Sequence, residues 1–507
     1  MPPYSGVFAG LDARPRPPRR KLSISFELRP PLRYHHDAFL QSAFPTPPLY
    51  ILDFIKRLIG AAGAPVPAVP ETATANPAVR IYGRSEHNIS RAFISDPSLK
   101  VLYRLRKAGY DAFLVGGCVR DLLLGREPKD FDVATNARPE EVRAVFRNCR
   151  LIGRRFRLAH VFFGDQIVEV ATFRASSSGD EVGERVLENG RILRDNVYGS
   201  IEDDAWRRDF TVNALYYNIA DFSVVDFVGG MEDHRAAVLR LIGPPEERYR
   251  EDPVRMLRAV RFAVKLGFTI HPSCREPIPR LARLLADIPS ARLYEEVIKL
   301  LMSGYGVQTF EQLRQLGLFA MLFPDTEGCL EREPEGFPLT FLAKALEKTD
   351  ERVQDDKSVA PFFLFAALLW EPVRLRAQER IAAGDNDVFA HQEAGAEVIS
   401  RLVQRIALPR AVGLPMRELW SLQPRLERIT GPRPFKLLGH PRFRAAYDFL
   451  LLRAETGEAD PELAQWWTQF LGAGEAEQKS MTREGGRRRG GRRRRGKSAA
   501  AQQPPVG

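Results

Sequence analysis

The sequence predicts an α+β protein, in which a head mixing strands and helices precedes a long all-helical remainder. Three observations lead there. Between about 96 and 245, β-rich runs such as DAFLVGG, DFDVAT and IVEVATFR are interleaved with helical stretches. From about 246 strand signals fade and helical periods take over, in ERYREDPVRMLRAVRFAVKLG, ARLYEEVIKLLMSG and TFEQLRQLGLFAMLF. At the two ends the composition shifts, to proline and alanine before residue 86 and to arginine and glycine after 475. The expected division is a disordered extension at 1–85, a mixed α/β head at 86–245, helical segments at 246–325 and 326–475, and a disordered tail at 476–507.

Each element has a local reason. Within the extension, YILDFIKRLIG (50–60) has helical spacing of apolar residues. DPSLKVLYRLRKAGY (96–110) reads as a helix with Asp96 as N-cap, Pro97 at its first position and Gly109 as its stop. DAFLVGG then reads as a strand, CVRDLLLG as a short helix, DFDVAT as a second strand and RPEEVRAVFRN (138–148) as a helix. LAHVFFG and IVEVATFR are expected to pair antiparallel across Gly164–Asp165–Gln166. The polar stretch ASSSGDEVGERVLENGRILRDN (175–196) reads as a mobile loop.

Bulk properties narrow the function. The 507 residues are 44% hydrophobic and 27% charged, ordinary for a soluble globular protein. The net charge of +11 points to a polyanionic partner, but nine basic residues against one acidic between Arg483 and Lys497 supply +8 of it. The ordered part is therefore close to neutral. Cys118, Cys149, Cys274 and Cys329 form no C-x-x-C pair, which argues against structural zinc and disulfides and for a reducing cytoplasm. No secretory signal is visible. The longest apolar run, VAPFFLFAALLW at 359–370, is short of the roughly 20 residues of a membrane span and reads as a buried helix. GRRRRGKS (491–498) satisfies the P-loop pattern, yet it lacks the strand and helix that let such a loop cradle phosphate, so it is rejected.

The chemistry concentrates in LVGGCVRDLLLGREPKDFDVAT (114–135). In a strand, residues two apart share a face, so Asp130 and Asp132 are expected to point together. Such oxygen-rich charge suits a hard cation such as Mg²⁺ bound along with substrate phosphates, although a bare D-x-D also describes a solvated strand end. Gly116 and Gly117 let backbone approach a ligand, and the next helical turn offers amides and Arg120 to phosphate oxygens. A third carboxylate is available twice, as Glu169 on IVEVATFR and as Asp209 in RRDFTVNAL beside Arg207 and Arg208; chemistry alone does not rank them. In REDPVRMLRAVRF, Asp252, Arg255, Arg258 and Arg261 are spaced three apart on an expected helix. They form either a salt-bridged exposed stripe or a set of donors and acceptors for the edge of a base.

LVGGCVRDLLLG, DFDVAT, EVATFR, RRDFTVNALYYN and EDPVRMLRAVRF, in this order, resemble the bacterial class II nucleotidyltransferases. These polymerase-β-like enzymes include poly(A) polymerases and tRNA CCA-adding enzymes. LIGRRFRLAHVFFG (151–164) is similar to the segment that marks the poly(A) polymerase I branch, and the likeness covers about 80–470. The resemblance implies a nucleotidyltransferase head with a small mixed sheet, then an all-α neck, body and leg that bind nucleotide and RNA. It implies template-independent transfer of AMP from ATP to RNA 3′ ends with two Mg²⁺ ions, release of pyrophosphate, and a role in RNA decay.

By the same resemblance Asp130 and Asp132 match metal-binding aspartates, and Asp209 matches an essential aspartate. Gly116, Gly117, Arg120 and Arg208 match positions around the triphosphate, and Asp252, Arg255 and Arg258 match base-reading positions. The expected partners are RNA 3′ ends and RNA-decay factors, with no membrane and a monomeric state. The arginine-glycine tail is expected to hold RNA phosphates loosely. A tRNA CCA-adding enzyme and a catalytically silent RNA-binding subunit of a decay complex are the alternatives. The intact Asp130, Asp132 and Asp209 speak against the silent subunit.

Overall fold

The computed structural model describes residues 79–153, 157–175, 185–188, 191–195, 197–332 and 339–483. The helical stretch at 50–60, residues 154–156 of LIGRRFRLAH, and residues 484–507 with the P-loop-like run lie outside them, whereas 476–483, read as the start of a disordered tail, are helical. Eight strands form one mixed sheet. In spatial order they are β1 (Arg80–Tyr82), β10 (Val224–Asp226), β9 (Leu215–Asn218), β2 (Ala112–Val115), β3 (Asp132–Thr135), β6 (Gln166–Thr172), β5 (Leu158–Phe163) and β4 (Cys149–Ile152). Only β3 and β6 run parallel; every other neighbouring pair is antiparallel. The sheet is thus mixed, as expected, but larger than the small sheet the sequence implied.

The period of two along each strand sorts side chains to two faces. One face carries Leu114, Val133, Val170 and Tyr217. Helices α1 (Asp96–Lys107), α2 (Gly117–Leu123) and α3 (Pro139–Val145) cover it, α1 and α2 through Val101, Leu102, Leu105, Val119 and Leu122. Full burial of side chains this size contributes about 1.5–3 kcal/mol each, which fixes the register of the central strands. The opposite face carries Val115, Ala134, Phe173 and Tyr216 in a second cluster.

Several expectations change. Ser95, not Asp96, caps α1: its hydroxyl accepts the Ser98 amide at 3.4 Å, while Asp96 and Pro97 are the first two helical residues. An aspartate in the first turn favours the positive helix end without being the cap. Gly109 does stop the helix, at φ +89°. β1 lies inside the segment read as a disordered extension; Tyr82 buries in the head core and three residues pair with β10. So short a strand shows no periodicity. The stretch read as a loop at 175–196 contains an antiparallel ribbon of β7 (Arg185–Glu188) and β8 (Arg191–Asp195). Its signal, Asn189–Gly190 between two runs that each hold an apolar pair (Val186–Leu187 and Ile192–Leu193), is hidden by the polar composition around it. Gly164–Asp165 alone turns β5 into β6, with Phe163 opposite Gln166.

After β10 come α5 (Gly230–Arg235), α6 (Pro245–Glu251), α7 (Val254–Leu266) and α8 (Ser290–Leu301), with α4 (Ile201–Trp206) before β9. The described chain from α5 onward is helical apart from β11 (Val238–Leu239) and β12 (Thr269–Ile270), which run parallel. The apolar run at 359–370 supplies the helix Pro361–Leu368, buried from Leu364 to Leu368, as expected. Trp370, Trp420 and Trp467 are fully buried in this region, and the indole N–H groups of Trp420 and Trp467 donate to backbone carbonyls of Ala366 (3.2 Å) and Leu426 (2.9 Å). Among the described residues no helix is long and apolar enough to cross a membrane.

Candidate active site

Sheet register builds the site. Tyr216 lies opposite Val115, Val115 opposite Asp132, Asp132 beside Glu169, and Glu169 opposite His160. These five residues form one row across one face. Asp130 precedes β3 rather than lying on it, yet its charge is near enough to raise the Asp132 pKa. Of the two further carboxylates, Glu169 lies in the row and Asp209 does not.

The acidic end of the row is short of positive partners. Asp130 and Asp132 are both exposed, and neither carboxylate accepts a hydrogen bond from a described residue. Asp132 opens to solvent, yet the protein around its carboxyl, then the Glu169 and Asp130 charges, raise its pKa to about 6 against the pull of Arg208. Glu169 has one weak companion, His160 Nε2 at 3.5 Å. Among the described residues no three His, Cys, Asp or Glu side chains converge into a ready metal cage. An all-oxygen donor set with surplus negative charge nevertheless fits hard divalent cations.

Arg208 is held against this edge from behind. Its Nε and Nη2 donate to Asp204 Oδ2 (3.2 and 2.8 Å), and Nε also donates to the Tyr216 hydroxyl (3.0 Å). That hydroxyl in turn donates to Asp204 Oδ2 at 2.7 Å. Burial alone would weaken the Arg208 charge, but Tyr216 and Asp204 more than offset it and raise its pKa. The free end points to Gly116, where an added Cβ would sit 3.6 Å from Arg208 Nη1 and 3.8 Å from Asp132 Oδ2. Gly116 has φ 80° and ψ −137°, a backbone state open to glycine and hardly to anything else. Glycine thus leaves a gap bounded by backbone, one cation and one carboxylate.

Asp209 and Arg120 face elsewhere. Asp209 Oδ1 accepts the Phe210 amide (2.8 Å) and Asn213 Nδ2 (3.2 Å), and Oδ2 accepts Arg258 Nε at 2.9 Å and, more closely, Nη2. Burial would raise its pKa, but Arg258 and these hydrogen bonds hold it below the usual carboxylate range. Arg120, 3% exposed, is not displayed toward phosphate; it donates to Asn213 Oδ1 (2.6 Å) and Asp121 Oδ1 (2.6 and 2.8 Å). The result is a chain of matched charge, Arg258–Asp209–Asn213–Arg120–Asp121.

The expected stripe on α7 is also rearranged. Asp252 lies in the break before α7 and accepts Arg292 at 2.6 Å. Arg255 donates to Glu251 (2.8 Å) and the Arg248 carbonyl (2.7 Å), and Arg261 lies 3.7 Å from Glu296. Arg248 donates to the carbonyls of Arg207 (3.1 Å) and Arg208 (2.7 Å), tying α6 to the RRDF loop. Sequence reading missed Asp204, Asn213, Tyr216 and Arg248. Only Asp204 carried a signal, its i,i+4 spacing to Arg208.

Family profiles match over three segments. They are the poly A polymerase head domain (112–240), a probable RNA and SrmB-binding site of polymerase A (267–330) and the polymerase A arginine-rich C-terminus (383–500). A poly(A) polymerase I of Salmonella typhi is 52% identical over 423 residues, which is 82% of this chain and 90% of that one. The chain belongs to the poly(A) polymerase I family. It is accordingly a nucleotidyltransferase enzyme of the poly(A) polymerase kind. A CCA-adding enzyme of Geobacillus stearothermophilus is more distant, at 39% over 225 residues, 44% of this chain and 54% of that one. A Thermotoga maritima CCA-adding enzyme, solved in complex with tRNA, shares the fold at TM-score 0.50 and 20% identity, covering 77% of this chain and 85% of that one.

Proposed function

We propose that the acidic end of the Tyr216–His160 row is where AMP passes from ATP to an RNA 3′-hydroxyl, without a template and with pyrophosphate leaving. The observation that carries this reading is the meeting of uncompensated Asp130, Asp132 and Glu169 charge with Arg208 and the bare Gly116 backbone. Arg208 Nη1, unused by Asp204 or Tyr216, is the donor for triphosphate oxygens. Gly116 admits a phosphate where a side chain would block it. Asp130 and Asp132, with Glu169 beside them, are the residues that would hold divalent cations such as Mg²⁺. Bound there, such a pair would supply charge neutralisation and a lowered pKa for the attacking hydroxyl.

Asp209 acts through Arg258 as a positioning residue rather than on substrate. Base reading by Asp252, Arg255 and Arg258 requires their present ion pairs with Arg292, Glu251 and Asp209 to open or to rearrange. The head at 86–245, neck at 246–325, body and leg at 326–475, and RNA contacts by the tail belong to this proposal. So do a cytoplasmic location, a monomeric state and association with RNA-decay factors; co-purification and light scattering test the last two.

The deciding assay uses the purified full chain, an oligo-RNA, Mg²⁺ and each nucleotide alone. A long ladder with ATP, lost in Asp130→Ala and Asp132→Ala while circular dichroism is unchanged, is the expected result. Retained extension in either variant refutes the carboxylate assignment, and a product that stops after C-C-A from CTP plus ATP restores the CCA-adding reading.

A further inference from the structure

On the sheet face opposite Tyr216 and Arg208, a cavity of about 410 Å³ opens between the start of the head and the β9–β10 turn. Arg84, Ser90, Arg91, Tyr217 and Phe222 line it. Tyr217 is only 1% exposed, yet its hydroxyl hydrogen-bonds to no described residue. Burial pushes that hydroxyl's pKa up, and the Arg84 and Arg91 charges draw it back, which places both guanidinium groups near it. Neither arginine meets a carboxylate among the described residues. Arg84 donates to the His87 carbonyl (3.0 Å), and Arg91 donates to the Tyr103 hydroxyl (3.0 Å). The charges therefore remain available to an anion. Asp221 is close to Tyr217, but it is occupied by the Ser223 amide (3.1 Å) and hydroxyl (2.7 Å).

The aromatic surroundings narrow the ligand. Phe222 holds φ 61°, a left-handed state that costs a bulky residue of order 1–3 kcal/mol. His87 Nε2 fixes the Phe222 carbonyl at 2.8 Å, and the Arg91 guanidinium lies 5.2 Å from the centre of its ring. Phe93 and Tyr103, 62% and 43% exposed, stand on the same short segment and the helix beside it. Arginines interleaved with exposed aromatic rings, around a buried hydroxyl that lacks a partner, provide phosphate oxygens and base planes with complementary surfaces. We propose that this cavity binds the backbone of single-stranded RNA, a phosphate resting on Arg84, Arg91 and the Tyr217 hydroxyl with a neighbouring base against Phe93 or Tyr103. The site is separate from the transfer chemistry and presumes only that the substrate is RNA.

The test is binding of a fluorescent single-stranded RNA to the full chain in EDTA, followed by anisotropy across a range of KCl. Tyr217→Phe, which keeps the ring in the core, should weaken binding about fivefold, the worth of one hydrogen bond. Arg84→Ala/Arg91→Ala should lower the slope of log affinity against log salt by about 0.7, the worth of the one phosphate they hold on a single strand. Both variants should still adenylate a short primer at the original rate. Arg143→Ala/Arg147→Ala, which removes the same charge from exposed positions on and just after α3, is the control. Unchanged affinity and slope in the cavity variants would overturn the proposal, as would an equal loss in the control. A loss confined to free ATP or pyrophosphate would also overturn it, since the cavity would then take a small anion.

Discussion

Two clusters of charge lie a few residues apart in this head, and they are built on opposite terms. At Asp130, Asp132 and Glu169, carboxylates crowd together with few hydrogen bonds and one nearby guanidinium, so Asp132 is hard to ionise. Along Arg258–Asp209–Asn213–Arg120–Asp121, every charge is met at hydrogen-bond distance. Satisfied charge inside a protein is scaffold: removing one partner strands the other. Unsatisfied charge is destabilising unless a ligand completes it. The difference separates chemistry from support more sharply than residue type does, since both clusters contain aspartates and arginines.

Four substitutions break or sharpen that contrast. Asp132→Asn should cut adenylate incorporation by about 10³-fold or more, the equivalent of several kcal/mol of transition-state stabilisation, while leaving the urea midpoint unchanged or raised. A lowered midpoint would move Asp132 into the scaffold class. Asp209→Asn should do the reverse in kind, costing about 2–4 kcal/mol in urea unfolding because Arg258 is left partly buried without its partner. If that variant unfolds like the parent but is inactive, Asp209 touches substrate and the division fails.

Glu169→Gln tests the border between the clusters. An activity loss of about 10–100-fold, reversed in part by raising the Mg²⁺ concentration, is expected of a group that supports a cation site. No change would leave Asp130 and Asp132 as the whole acidic set. The smallest effect belongs to Asp204→Asn. Arg208 keeps its charge but loses its tether, so KM for ATP should rise about tenfold with a smaller change in kcat, and Asp204→Glu should recover part of it. Equal losses in kcat and KM terms, without rescue, would mean that Asp204 merely holds the fold.

What could be read from the sequence was whatever is encoded locally. Gly116–Gly117 after an apolar strand, the D-x-D spacing of Asp130 and Asp132, and the arginines of RRDF all declare their chemistry within a few residues. The row that joins Tyr216, Asp132 and Glu169 was not legible, because it depends on which strands pair and in what register. The D-x-D was placed on one strand, whereas only Asp132 lies on it. Arg120 was assigned to phosphate because arginine after a glycine pair suits that role, yet Asn213, 93 residues later, takes it inward. Likewise the helical spacing of Asp252 and the α7 arginines was real, but Pro253 set Asp252 outside the helix and tertiary partners decided where each side chain went.

The hold of Arg248 on the Arg207 and Arg208 carbonyls, together with Arg258 on Asp209, carries a lesson for dissecting the chain. A fragment ending at 245 would keep Asp130, Asp132 and Glu169 and lose both arginines. Its RRDF turn would then keep a buried acid without a counter-ion and two carbonyls without a donor. The smallest autonomous piece should accordingly run through α7, so the border where strands give way to helices is not the border where the protein can be cut.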